Sequence, residues 1–214
     1  ERSLRLAATA EAEAHCERGL GHLAGRDAEE SLGLRFALLR ALVHATQGRP
    51  RRTGLAAEVR RWIEVARAAG RLGELQIGLY LLAAIHYAED DLSAAERHVL
   101  DQAEALRGAE PRVAAAALAN AGRCLAQIER DHARAEALLR EGRELAATAG
   151  IELVDVPWGL GMVAQAAGRD EEACREFDRA LALARASGDP WIESQCLARL
   201  AAMAIEQGEN DVAV

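Results

Sequence analysis

The sequence predicts an all-α fold, an α-solenoid in which about ten helices form antiparallel pairs. The first supporting observation is composition: 49 Ala and 29 Leu stand against only 3% aromatic residues. Strong helix formers therefore dominate, and residues that favour strands are sparse. The second and third observations are two features that recur along the sequence: a glycine that follows a predicted helix, called the glycine mark, and a polar turn between such glycines, called the polar mark. Each recurs about every 40 residues, a length that fits two helices and their turns.

The glycine mark consists of four residues that follow predicted helices, separated by 38, 42 and 38 residues: Gly70, Gly108, Gly150 and Gly188. Glycine ends a helix readily because it adopts the left-handed conformation without a Cβ penalty. The polar mark lies between these glycines, with separations of 40, 39 and 40 residues: Asp91, Asp131, Asp170 and Asn210. These side chains are predicted to cap the second helix of each pair.

The marks and the apolar periodicity together delimit the helices. The predicted ranges are 3–24, 28–47, 54–69, 72–88, 91–107, 111–128, 131–149, 154–167, 170–187 and 190–207. Pro111 and Pro190 fall at predicted helix starts, where a missing N–H costs little. Pro157 falls in the first turn of its helix or marks an irregular entry.

Charge and residue types argue against several functions. The net charge of −8 disfavours nucleic-acid binding, and the longest apolar runs are too short to cross a membrane. Lys is absent, so a phosphate-gripping lysine is excluded. The six His and four Cys show no metal-ligand or nucleophile–base spacing. We therefore expect a non-enzymatic chain without metal or cofactor, with its cysteines reduced in the cytoplasm.

The residues within each period resemble the tetratricopeptide repeat. The clearest unit is 157–184, with Leu160, Gly161, Gly168, Ala173 and Phe177 followed by Ala180. A second copy follows at Leu200, Ala201, Ala204, Gly208 and Ala213, and a third keeps Gly122, Ala135, Leu139 and Gly142. The usual period of this repeat is about 34 residues, so the longer period here is a departure.

The longer, Ala- and Arg-rich period is similar to the C-terminal sensor arrays of bacterial signal-transduction ATPases, maltose-activator-type regulators and cyclase-linked ATPases. The expected organisation is one array over 1–214, degenerate over 1–70 and clearer over 71–214. We also expect the chain to be a fragment of a longer protein, because no Met begins it and the next helix pattern is incomplete.

In this repeat family the first helix of each pair lines a concave groove. That resemblance places eight candidate binding residues there: Tyr80, Tyr87, Arg123, Gln127, Asp155, Trp158, Met162 and Gln165. The alternative for Tyr80, Tyr87 and Trp158 is that they fill the core between repeats. Trp62 is expected in the core, and Trp191 is expected to pack over the preceding turn.

The predicted function is a protein-interaction scaffold or regulatory sensor domain that holds a protein or peptide in the groove. One alternative is a sensor of a small effector, which the maltose-activator resemblance implies. Another is a self-association module. Neither nucleic acid nor a membrane is an expected partner.

Overall fold

A computed structural model describes residues 2–45, 54–206 and 208. This part of the chain holds ten helices and no strand. The helices are α1 (Arg2–His22), α2 (Leu32–Ala45), α3 (Leu55–Ala68), α4 (Leu72–Ala88), α5 (Leu92–Leu106), α6 (Pro111–Gln127), α7 (His132–Thr148), α8 (Asp155–Ala166), α9 (Asp170–Ser187) and α10 (Pro190–Glu206). The predicted all-α class is confirmed.

Most predicted boundaries lie within two residues of the observed ones, but α2 starts at Leu32 rather than near residue 28. Asp27 explains the delay, because its carboxylate accepts hydrogen bonds from the backbone N–H groups of Glu29 and Glu30, both at 2.9 Å. The hydroxyl of Ser31 also donates to the Asp27 carbonyl. Such local bonds hold residues 28–31 in a turn. Residues 46 and 47, predicted as the end of this helix, lie outside the described residues.

The observed helix ends show which residues of the glycine mark and the polar mark have the predicted conformation or capping role. Gly70, Gly150 and Gly188 have φ values of 65°, 65° and 69°, the left-handed conformation predicted for helix-ending glycines. Gly108 is not among the glycines with positive φ. It follows α5 in an ordinary turn.

Not every described residue of the polar mark caps a helix. Asp91 and Asp131 cap their helices, accepting from the backbone N–H groups of Ala94 at 3.0 Å and Arg134 at 3.1 Å. The cap predicted at Asp170 is wrong, because Asp170 is already the first residue of α9 and contributes its charge to the first turn. Asn210 lies outside the described residues.

The chain divides into two compact units, Glu1–Gln102 and Ala103–Val214. The predicted division at residue 70, which separated degenerate from clear repeats, and the single array over 1–214 both stay predictions. In the first unit, α1 packs on α2, α3 on α4, and α2 on α4. Gly78 marks the meeting point of three helices, because a Cβ there would lie 2.7 Å from Ile63 and 2.9 Å from Phe36.

A buried arginine holds the end of α1 in the first unit. Arg35 is 5% exposed. Its Nε donates to the Ser31 hydroxyl at 2.8 Å, and its Nη2 donates to the carbonyl of Leu23, just past α1. The guanidinium lies over the Trp62 ring, 4.1 Å from the centroid. Burial, followed by the charge of Arg61, lowers the Arg35 pKa, while Glu58 opposes the shift. Trp62 is buried, as predicted.

In the second unit, consecutive helices pack as pairs, α6 with α7 and α8 with α9. Glycines form the crossings. A Cβ on Gly122 would lie 2.6 Å from Leu139 Cγ, and a Cβ on Gly161 would lie 2.6 Å from two carbons of the Phe177 ring. A side chain at either position would have to displace Leu139 or Phe177, so each crossing depends on the missing Cβ of its glycine.

The first helices of successive pairs also lie against each other, since α6 packs on α8. The second helices are joined by ion pairs: Arg143 of α7 holds Glu176 of α9 at 2.7 Å, and Arg107 holds Glu141 of α7. The second unit therefore has a layer of first helices and a layer of second helices. This arrangement determines where the candidate binding residues lie.

Candidate functional site

The eight candidate residues fall in both units. Tyr80 and Tyr87 lie on α4 in the first unit, and the other six lie on α6 and α8 in the second. Tyr80 is half-buried and Tyr87 is 39% exposed. Tyr87 thus has accessible ring surface, whereas Tyr80 is largely packed.

Arg123 is the centre of a polar network that joins α6 to α8. Its Nε lies 2.7 Å from a carboxylate oxygen of Asp155. Its Nη1 donates to Gln127 at 2.8 Å, and its Nη2 donates to the buried Asn120 at 2.9 Å. The guanidinium is therefore engaged on three nitrogens. Arg123 acts as a structural clamp between first helices, and Asn120 is a member that the sequence did not single out.

Gly159 permits this clamp, because its missing side chain leaves room for the neighbouring helices. A Cβ at this position would lie 3.2 Å from Arg123 Cα and 2.8 Å from the Leu139 side chain. The close approach of α8 to α6 brings Asp155 within reach of the guanidinium. Gly161 belongs to the repeat pattern found in the sequence, whereas Gly159 was not singled out there.

Trp158 and Met162 require a correction. Both were placed on an accessible groove, but they are 3% and 6% exposed. Helix α8 packs on α6, α7 and α9, so nearly all its faces are covered. The Trp158 ring lies 5.4 Å from the Phe177 ring, centroid to centroid, at an interplanar angle of 52°. For Trp158, the alternative of a core position is the one that the structure supports.

The Trp158 indole has one unusual property. Its Nε1–H is buried and has no acceptor among the residues that the structure describes. A buried donor without a partner costs about 1–3 kcal/mol. Trp158 is thus a core residue with an unused polar group.

The part of this layer that remains accessible is polar. Gln127, Asp155 and Gln165 are partly exposed, and Arg199 of α10 is exposed. Arg199 Nη1 donates to Gln165 at 3.0 Å, which links α10 to α8. We call these four residues the first-helix stripe. The sequence predicted three of them but missed Arg199, which occupies the same register as Gly159 one period earlier.

A histidine cluster in the first unit was also missed. Arg60 of α3 donates from Nη2 to His86 Nε2 at 3.0 Å, so that nitrogen carries the lone pair. His86 stacks on His98 of α5, with ring centroids 5.2 Å apart. Burial lowers the His98 pKa, and the charges of His86, Arg60 and Arg97 lower it further, against the opposing effect of Asp101.

The described residues include His, Cys, Asp and Glu side chains, the groups that most often bind metals or act as nucleophiles. No group of three His, Cys, Asp or Glu side chains there is placed to hold a metal ion. Burial raises the pKa of the Cys16 thiol, and burial with the charges of Asp178 and Asp189 raises the pKa of Cys196 to about 11. Both thiols are therefore protonated near neutral pH. No helix in the same residues combines the length and apolarity needed to span a membrane.

Trp191 lies at the start of α10 and is 42% exposed, and its packing over the preceding turn stays a prediction. Asp189 caps this helix, accepting from the backbone N–H groups of Trp191 at 3.1 Å and Ile192 at 3.0 Å. The helix start is therefore stabilised without the indole.

Comparison with known proteins gives information about the fold alone. No family model matches the chain, and no curated protein matches it. Among solved structures, the chain is similar to BtubC (BKLC) from P. vanneervenii, with a TM-score of 0.61 and 18% sequence identity. The match covers 99% of this chain and 86% of that chain, so the similarity in fold extends over nearly the whole sequence.

Proposed function

We propose that this chain is a non-catalytic protein-interaction module that binds a protein or peptide segment along the first-helix stripe. One observation carries the proposal: the first helices α6 and α8 lie side by side in the second unit, Arg199 of α10 is hydrogen-bonded to Gln165 of α8, and together they present accessible amides, a carboxylate and an arginine. Amide and charged side chains on a firm helical support suit the recognition of a peptide backbone and its side chains.

The network around Arg123 supports this proposal through rigidity rather than through direct contact. Three guanidinium nitrogens are engaged within the chain, so Asp155 and Gln127 are held before any partner arrives. Such preorganisation reduces the side-chain entropy lost on binding. In this proposal Arg123 positions the stripe, while Gln165 and Arg199 contact the partner.

The resemblance to tetratricopeptide sensor arrays extends the proposal to the parent protein. A stack of such helix pairs would form a superhelix whose groove captures a partner and reports it to an output domain. We propose that this module performs that role in a bacterial signalling ATPase in the cytoplasm. Determining the parent gene would test the extension, because a Walker phosphate-binding loop in the same open reading frame is the expected result.

The binding proposal is tested with a displayed library of random peptides selected on the wild-type chain. Enriched peptides are then titrated against Gln165→Glu and Arg199→Glu, which alter the stripe. The matched control is Arg175→Glu on α9, where the side chain is 71% exposed. We expect the stripe variants to weaken binding at least about tenfold, equivalent to about 1.4 kcal/mol, and the control to bind as wild type.

Two results would oppose this function. The first is a library that yields no peptide enriched over the blank surface. The second is equal loss of binding in the stripe variants and the α9 control. Circular dichroism of each variant separates loss of binding from loss of fold.

A second candidate function is recognition of a small effector, favoured by the unused Trp158 N–H. An effector with an acceptor oxygen would satisfy this donor and raise the stability of the chain by mass action. A thermal-shift screen against metabolites tests it, with Trp158→Phe as the variant that keeps an aromatic ring but removes the donor. A stabilising compound whose effect disappears in Trp158→Phe supports effector recognition. A compound that stabilises both proteins equally contradicts it.

A further inference from the structure

Two stacked histidines of the first unit have no part in peptide binding. His86 of α4 is 9% exposed, and His98 of α5 is half-buried. Their ring centroids lie 5.2 Å apart, and the ring planes differ by 24°. A proton on one ring therefore places a positive charge beside the other ring and opposes a second proton there.

The hydrogen bond from α3 requires a neutral His86. Arg60 Nη2 lies 3.0 Å from His86 Nε2. A guanidinium has only donors, so Nε2 must supply its lone pair, and the single proton of the neutral ring lies on Nδ1. A proton added to Nε2 would point at the cationic donor of Arg60. The bond to Arg60 and the cationic form of His86 are therefore mutually exclusive.

Two carboxylates lie on the opposite side of the His86 ring. His86 Nδ1 is 3.6 Å from an oxygen of Glu89 and 3.9 Å from Oδ2 of Asp91. Nδ1 is buried and has no hydrogen-bond partner within the part of the chain that the structure describes. His86 thus lies between a cation that needs the neutral ring and two anions that pair only with a charged ring.

The turn after α4 holds these carboxylates next to the ring. The backbone N–H groups of Glu89 and Asp91 donate to the His86 carbonyl at 3.1 Å and 3.0 Å. Oδ1 of Asp91 accepts from the backbone N–H of Ala94 at 3.0 Å, which leaves Oδ2 on the side of the imidazole. The second set of partners is therefore in place before a proton arrives.

On α5, His98 is a poor acceptor for that proton. Burial lowers the His98 pKa, and the charges of His86, Arg60 and Arg97 lower it further, while Asp101 opposes the shift. Helix α2 also packs on α4, but none of its described charged side chains pairs with either imidazole. The neutral His98 ring can therefore stay stacked while the charge is held on the side of the carboxylates.

The two sets of partners hold different elements together. The bond from Arg60 joins α3 to α4, whereas the contacts to Glu89 and Asp91 lie within α4 and the turn that follows it. Arg60 is exposed, so its guanidinium can turn into water once it is released. Transfer of His86 from the first set to the second therefore weakens the pairing of α3 with α4 and leaves the turn after α4 unchanged.

We propose that Arg60, His86 and His98 form a proton-operated latch. The neutral histidine pair holds α3 through Arg60, and uptake of one proton from solvent transfers His86 to Glu89 and Asp91 and releases α3. None of these residues belongs to the first-helix stripe, so the latch is tested independently of peptide binding.

The first test is hydrogen exchange of the whole chain, read by mass spectrometry at about pH 7.5 and about pH 5.5, on either side of the usual imidazole titration. After division by the intrinsic rates, we expect exchange in α3 to rise about fivefold to tenfold at the lower pH. Helix α9, which contains no histidine, is the internal reference. Circular dichroism at both pH values should show a folded chain.

Three variants make this test specific. His86→Gln keeps an acceptor for Arg60 but cannot take up the proton, so exchange in α3 should be equal at both pH values. Arg60→Met should give the faster exchange at both. The matched control Arg67→Met, which changes an exposed arginine of the same helix, should respond as wild type. Equal exchange in wild-type α3 at the two pH values, or a wild-type response in His86→Gln, overturns the latch. An equal rise in α9 indicates global unfolding and overturns it as well.

The second test needs no variant, because nitrogen NMR of the histidine rings reports where each proton lies. At about pH 7.5 the His86 proton should lie on Nδ1, with Nε2 unprotonated. On acidification both nitrogens should become protonated in step with the faster exchange of α3. A His86 that carries its proton on Nε2 at the higher pH overturns the proposal, since Arg60 would then have no acceptor.

Discussion

The crossing of α8 and α9 gives the most direct prediction of stability. In Gly161→Ala the new Cβ would lie 2.6 Å from Cδ1 and Cε1 of Phe177, whereas carbon atoms pack at about 3.5–4.0 Å. Phe177 is fully buried, so the ring and its helix must shift by about 1 Å. Overpacking of this kind costs about 1–3 kcal/mol.

The helix propensity of alanine offsets part of this cost, by about 1 kcal/mol relative to glycine. The rigid ring and the very short contact place the overpacking cost in the upper half of its range. We therefore expect a net loss of about 1–2 kcal/mol in the free energy of unfolding. For a chain of this size the melting temperature should fall by roughly 2–8 °C. Urea and thermal unfolding followed by circular dichroism measure both quantities.

Two further variants make this prediction specific to the crossing. Gly73→Ala on α4 is the matched control, because its Cβ would meet nothing within 4 Å, and its stability should equal or exceed wild type. Phe177→Leu should relieve the clash, so Gly161→Ala should cost about 1 kcal/mol less in that background. A Gly161→Ala chain as stable as wild type, or an undiminished loss in the Phe177→Leu background, would refute the packing argument.

Three other outcomes follow from buried polar groups. Arg35→Met should lower the urea unfolding free energy by about 2–3 kcal/mol, because a charged hydrogen bond to the Leu23 carbonyl is lost; a loss below about 0.5 kcal/mol would contradict this. Because the His98 pKa is lowered on folding, the unfolded chain binds the proton more tightly. Stability should fall as pH drops below about 6.5 and level off below the folded-state pKa, and His98→Phe should remove this part of the slope in urea titrations at several pH values. Burial and two aspartates raise the pKa of Cys196 to about 11, so this thiol should resist iodoacetamide near pH 8 until the chain unfolds. Peptide mass mapping measures the labelling, and rapid labelling of the folded chain would be inconsistent with the burial of Cys196.

Repetition made the helical architecture predictable from the sequence. Local signals are the same in each period: a glycine that adopts positive φ, an acidic turn, and small residues at helix crossings. Gly122 and Gly161 could be identified because they occupy equivalent positions in successive repeats. Glycine is needed at both positions because a Cβ there would lie too close to the neighbouring helix. The delayed start of α2 escaped prediction because it depends on several hydrogen bonds of one side chain, Asp27.

The candidate site was harder to predict, because the position of a residue within the repeat does not determine how many other helices pack around its own helix. Trp158 and Ala198 occupy equivalent positions, yet the first is buried and the second is exposed. The difference arises from the helices packed around α8 and α10, not from the residues themselves. The contact between His86 and His98 likewise joins residues twelve apart on different helices, and no spacing rule relates them.

The ion pairs between second helices have a consequence for which segments can lie beside α7. Helix α7 carries Glu141, which receives Arg107 from the preceding segment, and Arg143, which reaches Glu176 on the following helix. Exposed pairs of this kind contribute little energy, but α7 offers an acceptor on one side and a donor on the other. A segment that precedes α7 therefore meets a carboxylate, and a helix that follows it meets a guanidinium. The charges of α7 thus distinguish its two neighbours, and a helix that replaced either neighbour would need the matching opposite charge to keep the pair.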